Sequence, residues 1–211
     1  MADNKKKVEE KIEKHQYSND ANNLFPVFIK LEQLSVLIIG GGYVGMEKLN
    51  AVLQNSPRAK IILVATAISK EIRLLAMKNN NVALIEKPYQ ANDLDAADIV
   101  IAAVNDWSVS EQVSKDAKQK GKLVNVADKP ELCDFYLSSV VQKGSLKIAI
   151  STNGKSPTIA KRIKEVLNET LPDEIDALLA NMQNIRNKLT GDFAEKVKQL
   201  NEITKKLTAE K

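Results

Sequence analysis

Two short stretches of this chain hold residue types whose spacing could do chemistry. In Asn125-Val126-Ala127-Asp128-Lys129-Pro130, an aspartate follows directly on a short apolar run. A carboxylate at the C-terminal edge of a strand can take a proton while a hydride leaves the same substrate. The same residues also suit a turn aspartate ahead of Pro130, and spacing alone leaves both readings open. The second stretch is Gly40-Gly41-Gly42-Tyr43-Val44-Gly45, which follows the β-branched run at 36–39. Glycines at its first, third and sixth places fit the dinucleotide fingerprint, and the strand before it and the helical pattern after it strengthen the match. Gly40 permits a tight turn, Gly42 lets the backbone approach a pyrophosphate, and Gly45 lets the helix pack close to the strand. A glycine-rich α/β turn without a ligand is the plain alternative. One expected feature is missing. An acid for the ribose 2′-hydroxyl should stand about 20 residues on, where the chain reads Val64-Ala65-Thr66. Thr66 or backbone groups are left to take the ribose hydroxyls, and the position does not choose NAD over NADP.

Two further stretches carry weaker signals. Ala102-Ala103-Val104-Asn105-Asp106 closes an apolar run, and small residues such as Ala103 and Val104 there leave room for a cofactor over the crevice. Ordinary strand packing explains them equally well. Ser151-Thr152-Asn153-Gly154-Lys155-Ser156-Pro157 combines hydroxyls, a glycine turn and a helix start, close to basic Lys161 and Arg162. That makes a candidate anion site or simply a capped helix. His15 is the single histidine and falls in a polar N-terminal stretch. Cys133, the single cysteine, reads as a small buried residue, because no histidine base lies in the folded part. No metal-ligand cluster is expected.

The elements that must position these groups follow from the patterning. Strands are expected at 34–40, 60–65, 82–85, 99–104 and 123–126, with helices at 43–54, 69–78 and 109–119 between them. Apolar runs separated by helices predict a parallel sheet covered on both faces. The character then changes. Strands at 135–141 and 146–150 flank Lys143-Gly144-Ser145, a hairpin-like turn. Three amphipathic stretches follow, the first opening at Ser156-Pro157 and the others after Pro172 and Gly191. A lone hairpin is marginal in water, so this middle piece is expected to complete its sheet across a dimer.

Composition narrows the class. The 211 residues, 44% hydrophobic and 27% charged, allow one full domain and a small second one. A single cysteine excludes an internal disulfide framework and suits a reducing cytosol. No apolar run reaches the roughly 18 residues of a membrane helix, and the charged N-terminus does not read as a signal peptide. A cytoplasmic protein with no membrane partner is expected. The net charge is +4, and residues 138–211 carry 13 Lys and Arg against 9 Asp and Glu, so the whole excess lies there. Solvated helix faces or attraction of an anionic ligand would both produce it. Aromatics are only 4%, and no basic–aromatic interleaving supports nucleic acid.

Taken in order, "FPVFIKL", "VLIIGGGYVGMEKL", "LVNVADKP" and "ISTNGKSPTIAKRIK" resemble the precorrin-2 dehydrogenase family, the N-terminal module of siroheme synthases, over roughly residues 24–190. The resemblance implies a homodimer, with an NAD-binding Rossmann domain (24–134), a small dimerisation domain (135–170) and a C-terminal helical domain (171–211); the charged extension expected over 1–23 is atypical of the family. It implies hydride transfer from precorrin-2, an anionic tetrapyrrole with eight carboxylates, to NAD, giving sirohydrochlorin. It leaves open Fe²⁺ insertion into that product, which some members perform. Carried onto this chain, the essential aspartate is Asp128. Cofactor contacts are Gly40, Gly42, Tyr43, Val44, Gly45, Ala65, Thr66 and Ala67, to which the strand end read above adds Ala103 and Val104. Substrate contacts are Ser151, Thr152, Gly154 and Ser156, to which the candidate anion site read above adds Lys155 and Arg162. Some relatives have serine where Thr152 stands. The rival expectation is a dinucleotide-sensing module without chemistry, which needs the glycine turn but neither Asp128 nor the 151–157 turn.

Overall fold

The computed structural model describes residues 22–204. The expected N-terminal extension with His15, and the end of the last helix, lie outside the described residues. Five parallel strands form the main sheet in the order β3-β2-β1-β4-β5: β1 (Ser35–Ile39), β2 (Lys60–Ala65), β3 (Val82–Glu86), β4 (Ile99–Ala102) and β5 (Leu123–Val126). The chain winds outward from β1 to β3, then returns to lay β4 on the other side of β1. The crevice therefore opens where the C-terminal ends of β1 and β4 diverge, which is where open α/β sheets bind ligands.

Alternation along β1 supplies both cores. Val36 and Ile38 face α1 (Tyr43–Asn55) and α2 (Lys70–Met77), where Leu49, Val52 and Ile72 are buried. Leu37 and Ile39 face the opposite layer, where α3 (Trp107–Gln119) contributes Val113 and Ala117. Strands buried on both faces need continuous apolar sequence, which explains the unbroken VLII and IVIA runs. Leu49 is fully buried, and cutting such a leucine to alanine costs about 2–5 kcal/mol.

Hydrogen bonds carry the sheet past the formal strand ends, to the crevice. Gly40 N donates to Val64 O at 2.9 Å, Ala103 N to Ile39 O at 2.7 Å and Ala127 N to Ala102 O at 2.9 Å. The strand expected over 99–104 thus ends at Ala102, although Ala103 still pairs. The helix expected from 109 starts at Trp107, because the Asp106 carboxylate caps it by accepting from Val109 N at 3.0 Å.

The second sheet is the hairpin β6 (Ser139–Lys143) and β7 (Leu146–Ile150), turned at Gly144-Ser145 with Gly144 at φ +53°. Residues 135–138 are not strand, contrary to expectation. Asn125 Nδ2 donates to Phe135 O at 2.8 Å, and Asp134 exchanges bonds with the Val124 backbone, so this stretch is tied to β5 rather than to β7. Helices α4 (Pro157–Thr170), α5 (Ile175–Lys188) and α6 (Phe193–Thr204) complete the chain. Asp176 at the start of α5 accepts from Ser145 N at 2.7 Å, and Asp173 pairs with Lys143, fixing α5 to the hairpin turn.

Candidate active site: a dinucleotide cleft beside the Asp128 cavity

A cleft of about 650 Å³ lies over the crevice, lined by the glycine turn, the ends of β2 and β4, and the start of α3. Each turn glycine has its own reason. Gly40 sits at φ +125°, and a β-carbon there would stand 2.2 Å from Ala103 O. One on Gly41 would stand 2.2 Å from Ala67 O, and one on Gly45 2.1 Å from Gly40 O. These three let backbones touch. At Gly42 a β-carbon would meet nothing within 4 Å, so protein packing does not demand glycine there. Gly42 lines the cleft and caps α1, whose first N–H groups have no intrahelical acceptor. The open face, free N–H groups and helix dipole suit a pyrophosphate. The cleft therefore fits a dinucleotide.

Of the expected cofactor residues, Gly40, Gly42, Tyr43, Val44, Ala65, Thr66, Ala67, Ala103 and Val104 line this cleft. Gly45 lies behind it, in the helix–strand contact. Sequence reasoning missed its far wall. There the Tyr89 hydroxyl donates to Asp116 Oδ2 at 3.0 Å and Gln112 Nε2 donates to Asp116 Oδ1 at 2.7 Å. Burial, with the Asp116 carboxylate close by, pushes the Tyr89 phenol well above its ordinary range, so it stays a donor. The residues come from two segments far apart in the chain, the exit of β3 and α3, with no local motif, which left no sequence signal.

At the end of β3, Glu86 pairs in register with Ala65 and binds Arg73 at 2.5 Å. Arg73 holds the Glu86 carboxyl below the usual carboxylate range. A carboxylate thus stands one strand away from the β2 end, where the fingerprint expects one, already committed to an arginine.

A second cavity, of about 280 Å³, joins the end of β5 to the hairpin and α4. Asp128, Ser151, Thr152 and Gly154 line it together, although they come from different sheets. Asp128 is exposed and adopts φ +60°, a left-handed conformation uncommon outside glycine but tolerated by aspartate. Its carboxylate takes no hydrogen bond or ion pair among the described residues. The structure also places Lys48 and Cys133 on this cavity. Burial pushes the Cys133 thiol up, and Sγ accepts from Val126 N at 3.1 Å, a structural bond and not a nucleophile's setting.

The 151–157 turn spends much of its polarity on itself. Ser156 caps α4 by accepting from Ile159 N at 3.2 Å, and Thr152 Oγ1 exchanges bonds with the Ser156 backbone. Lys155, Ser156 and Arg162 lie off the cavity lining, and Arg162 pairs with Glu165 at 2.7 Å in solvent. Lys129 lines the Asp128 cavity and reaches toward the cleft. Its ammonium lies 5.8 Å from the Trp107 ring centroid and 3.5 Å from the carbonyl oxygen of Val104, which lines the cofactor cleft.

Residues 27–139 match the "Putative NAD(P)-binding" family. The chain belongs to that family. Residues 143–169, the hairpin turn to the end of α4, match a second one described as "Sirohaem biosynthesis protein central". The two matches follow one another along the chain, the first over the parallel sheet and the second over the hairpin and α4. The chain is 32% identical over 177 residues to siroheme synthase of Ruthia magnifica, covering 84% of this chain and 35% of that protein. Against siroheme synthase of Psychrobacter cryohalolentis the identity is 36% over 176 residues, 83% of this chain and 32% of that protein. The chain thus spans about a third of the length of these curated relatives. Among solved structures, "SirC, precorrin-2 dehydrogenase" is 27% identical with a TM-score of 0.67, over 88% of this chain and 94% of that one. The family is described as NAD(P)-binding, which the glycine turn suits. No helix among the described residues is long and apolar enough to cross a membrane.

Proposed function

We propose that this protein oxidises precorrin-2 to sirohydrochlorin with NAD. The reading is carried by Asp128 and Ser151 lining one cavity next to a dinucleotide cleft. A module that only senses a dinucleotide has no use for that second cavity. The similarity along nearly the whole length of SirC supports the same substrate.

NAD, when bound, supplies the hydride acceptor. Gly42 and the first N–H groups of α1 hold the pyrophosphate, and Thr66 takes ribose hydroxyls at the β2 end. The wall of Tyr89 and Gln112, braced by Asp116, limits how the nucleotide can lie. Removing two hydrogens as one hydride leaves one proton, which Asp128 accepts. Its left-handed backbone turns the carboxylate out of the β5 ladder and into the cavity. Ser151, whose oxygen only accepts within the turn, offers its hydroxyl proton to a carboxylate of the substrate, and the basic excess of the C-terminal third draws that anion in.

The active form is a homodimer. Ile159, Ile163 and Val166 leave an exposed apolar stripe on α4, and Phe25 and Phe28 are exposed before β1; a second copy over the hairpin piece would cover them. Sedimentation of the purified protein tests this, and a monomer at micromolar concentration removes it. Iron insertion would use the same cavity, with Asp128 taking pyrrole protons. Anaerobic siroheme formation from sirohydrochlorin and Fe²⁺, compared with the uncatalysed rate, tests that activity. For the dehydrogenase itself the test is NADH formation from precorrin-2 and NAD. No NADH above a protein-free control would refute it.

A further inference from the structure

Lys48 stands where the pattern of α1 calls for an apolar residue. It is three residues after Gly45 and four before Val52, both buried against the sheet, so the three share a face. Its side chain is only 19% exposed. Holding a lysine there costs desolvation and rotamer freedom that leucine or methionine would not. Its one ion-pair partner among the described residues is a weak one. Glu47 Oε1 lies 2.8 Å from Lys48 Nζ, but Glu47 is the adjacent residue and is largely exposed. Adjacent residues on a helix do not face each other, so this carboxylate reaches Lys48 from the solvent edge and can be exchanged for another. Lys48 lines the cavity that also holds Asp128, Ser151 and Thr152. It is the cation that α1 contributes to the cavity shared with Ser151.

We propose that Lys48 binds a carboxylate of the tetrapyrrole substrate, displacing Glu47, and so sets which edge of the ring faces Asp128. This rests on the dehydrogenase reading above and adds a specificity contact to it. The ligand carboxylate replaces the Glu47 carboxylate, so the lysine keeps an anionic partner in both states. The Ser151 hydroxyl and the Lys48 ammonium, from different elements of the same cavity, fix the orientation of an acid side chain more firmly than either alone.

The test uses Lys48→Met, Lys48→Glu and Lys48→Arg in the full chain, with sirohydrochlorin as the titrated probe and NAD titrated separately. Methionine suits the apolar stripe, so Lys48→Met should keep its Tm. Loss of a charge-assisted contact should weaken sirohydrochlorin binding about tenfold in Lys48→Met and further in Lys48→Glu. KM for precorrin-2 should rise in step, NAD affinity should stay at the wild-type value, and Lys48→Arg should restore most of the binding. A purely structural lysine would lower Tm and NAD affinity in Lys48→Met without a selective loss of sirohydrochlorin. Wild-type sirohydrochlorin affinity in Lys48→Glu overturns the proposal and leaves the dehydrogenase reading standing. A wild-type protein that neither binds sirohydrochlorin nor oxidises precorrin-2 overturns both.

Discussion

Gly45 packs so closely on Gly40 that a β-carbon on Gly45 would stand 2.1 Å from the Gly40 carbonyl oxygen. That contact cannot be relieved by a side-chain rotation, because both partners are backbone. Gly42, three residues earlier, faces open space. The two glycines therefore do different work, and substitution should separate them. Gly42→Asp should leave Tm near wild type and abolish detectable NAD binding by calorimetry, since it sets a negative charge in the pyrophosphate's place. Gly45→Ala should instead unfold the protein at lower temperature, with a loss of roughly 1–3 kcal/mol from overpacking. NAD binding that survives in Gly42→Asp would remove the pyrophosphate from this turn.

Asp128 is best tested with asparagine, because asparagine tolerates the same left-handed backbone and keeps the side-chain shape. Asp128→Asn should retain NAD affinity and lose turnover by about 10²–10⁴-fold, the range for removing a positioned base. Stopped-flow measurement of NADH formation reads this directly. Turnover within a few-fold of wild type would make Asp128 a turn residue.

Much of this arrangement was legible in the sequence. The glycine turn after a β-branched run set the crevice end of β1, and unbroken apolar runs marked strands buried on both faces. Phe135 misled, because its apolar character serves the main sheet's core rather than a strand pairing with β7. The Tyr89–Asp116–Gln112 wall could not be read, since nothing local links residues from β3's exit and two turns of α3. Ser156 was read as a ligand contact from the family motif and Arg162 from its nearness in sequence; the fold also uses Ser156 as a helix cap and pairs Arg162 with Glu165, neither of which could be read from the sequence. Lys48 was hidden inside a helix pattern that otherwise looked routine.

Cys133 lines the Asp128 cavity yet should be dispensable for chemistry. Burial keeps its thiol protonated at neutral pH, so alkylation by iodoacetamide should be much slower than for a free thiol. Cys133→Ser should keep turnover within a few-fold. Cys133→Ala leaves Val126 N without its sulfur acceptor and should cost about 1–3 kcal/mol in denaturant unfolding. Loss of activity in a folded Cys133→Ser would assign the thiol a role it lacks here.

The basic excess of the C-terminal third should be visible in the salt dependence of the reaction. Exposed charges are screened over about 10 Å at 0.1 M salt, so KM for precorrin-2 should rise with ionic strength while NAD affinity changes little. Arg162→Glu should add a modest further rise, because Arg162 is exposed and acts at long range. A KM independent of salt would mean that these charges only solvate helix faces.

The central claim is tested most directly by the stoichiometry of one reaction. Purified protein, precorrin-2 and NAD are mixed without oxygen, and NADH and sirohydrochlorin are followed together by absorbance, with Asp128→Asn alongside. The account predicts one NADH for each sirohydrochlorin formed by the wild type, and bound NAD without turnover in Asp128→Asn. NAD binding by the wild type with no sirohydrochlorin formed would contradict it and leave a dinucleotide-sensing module.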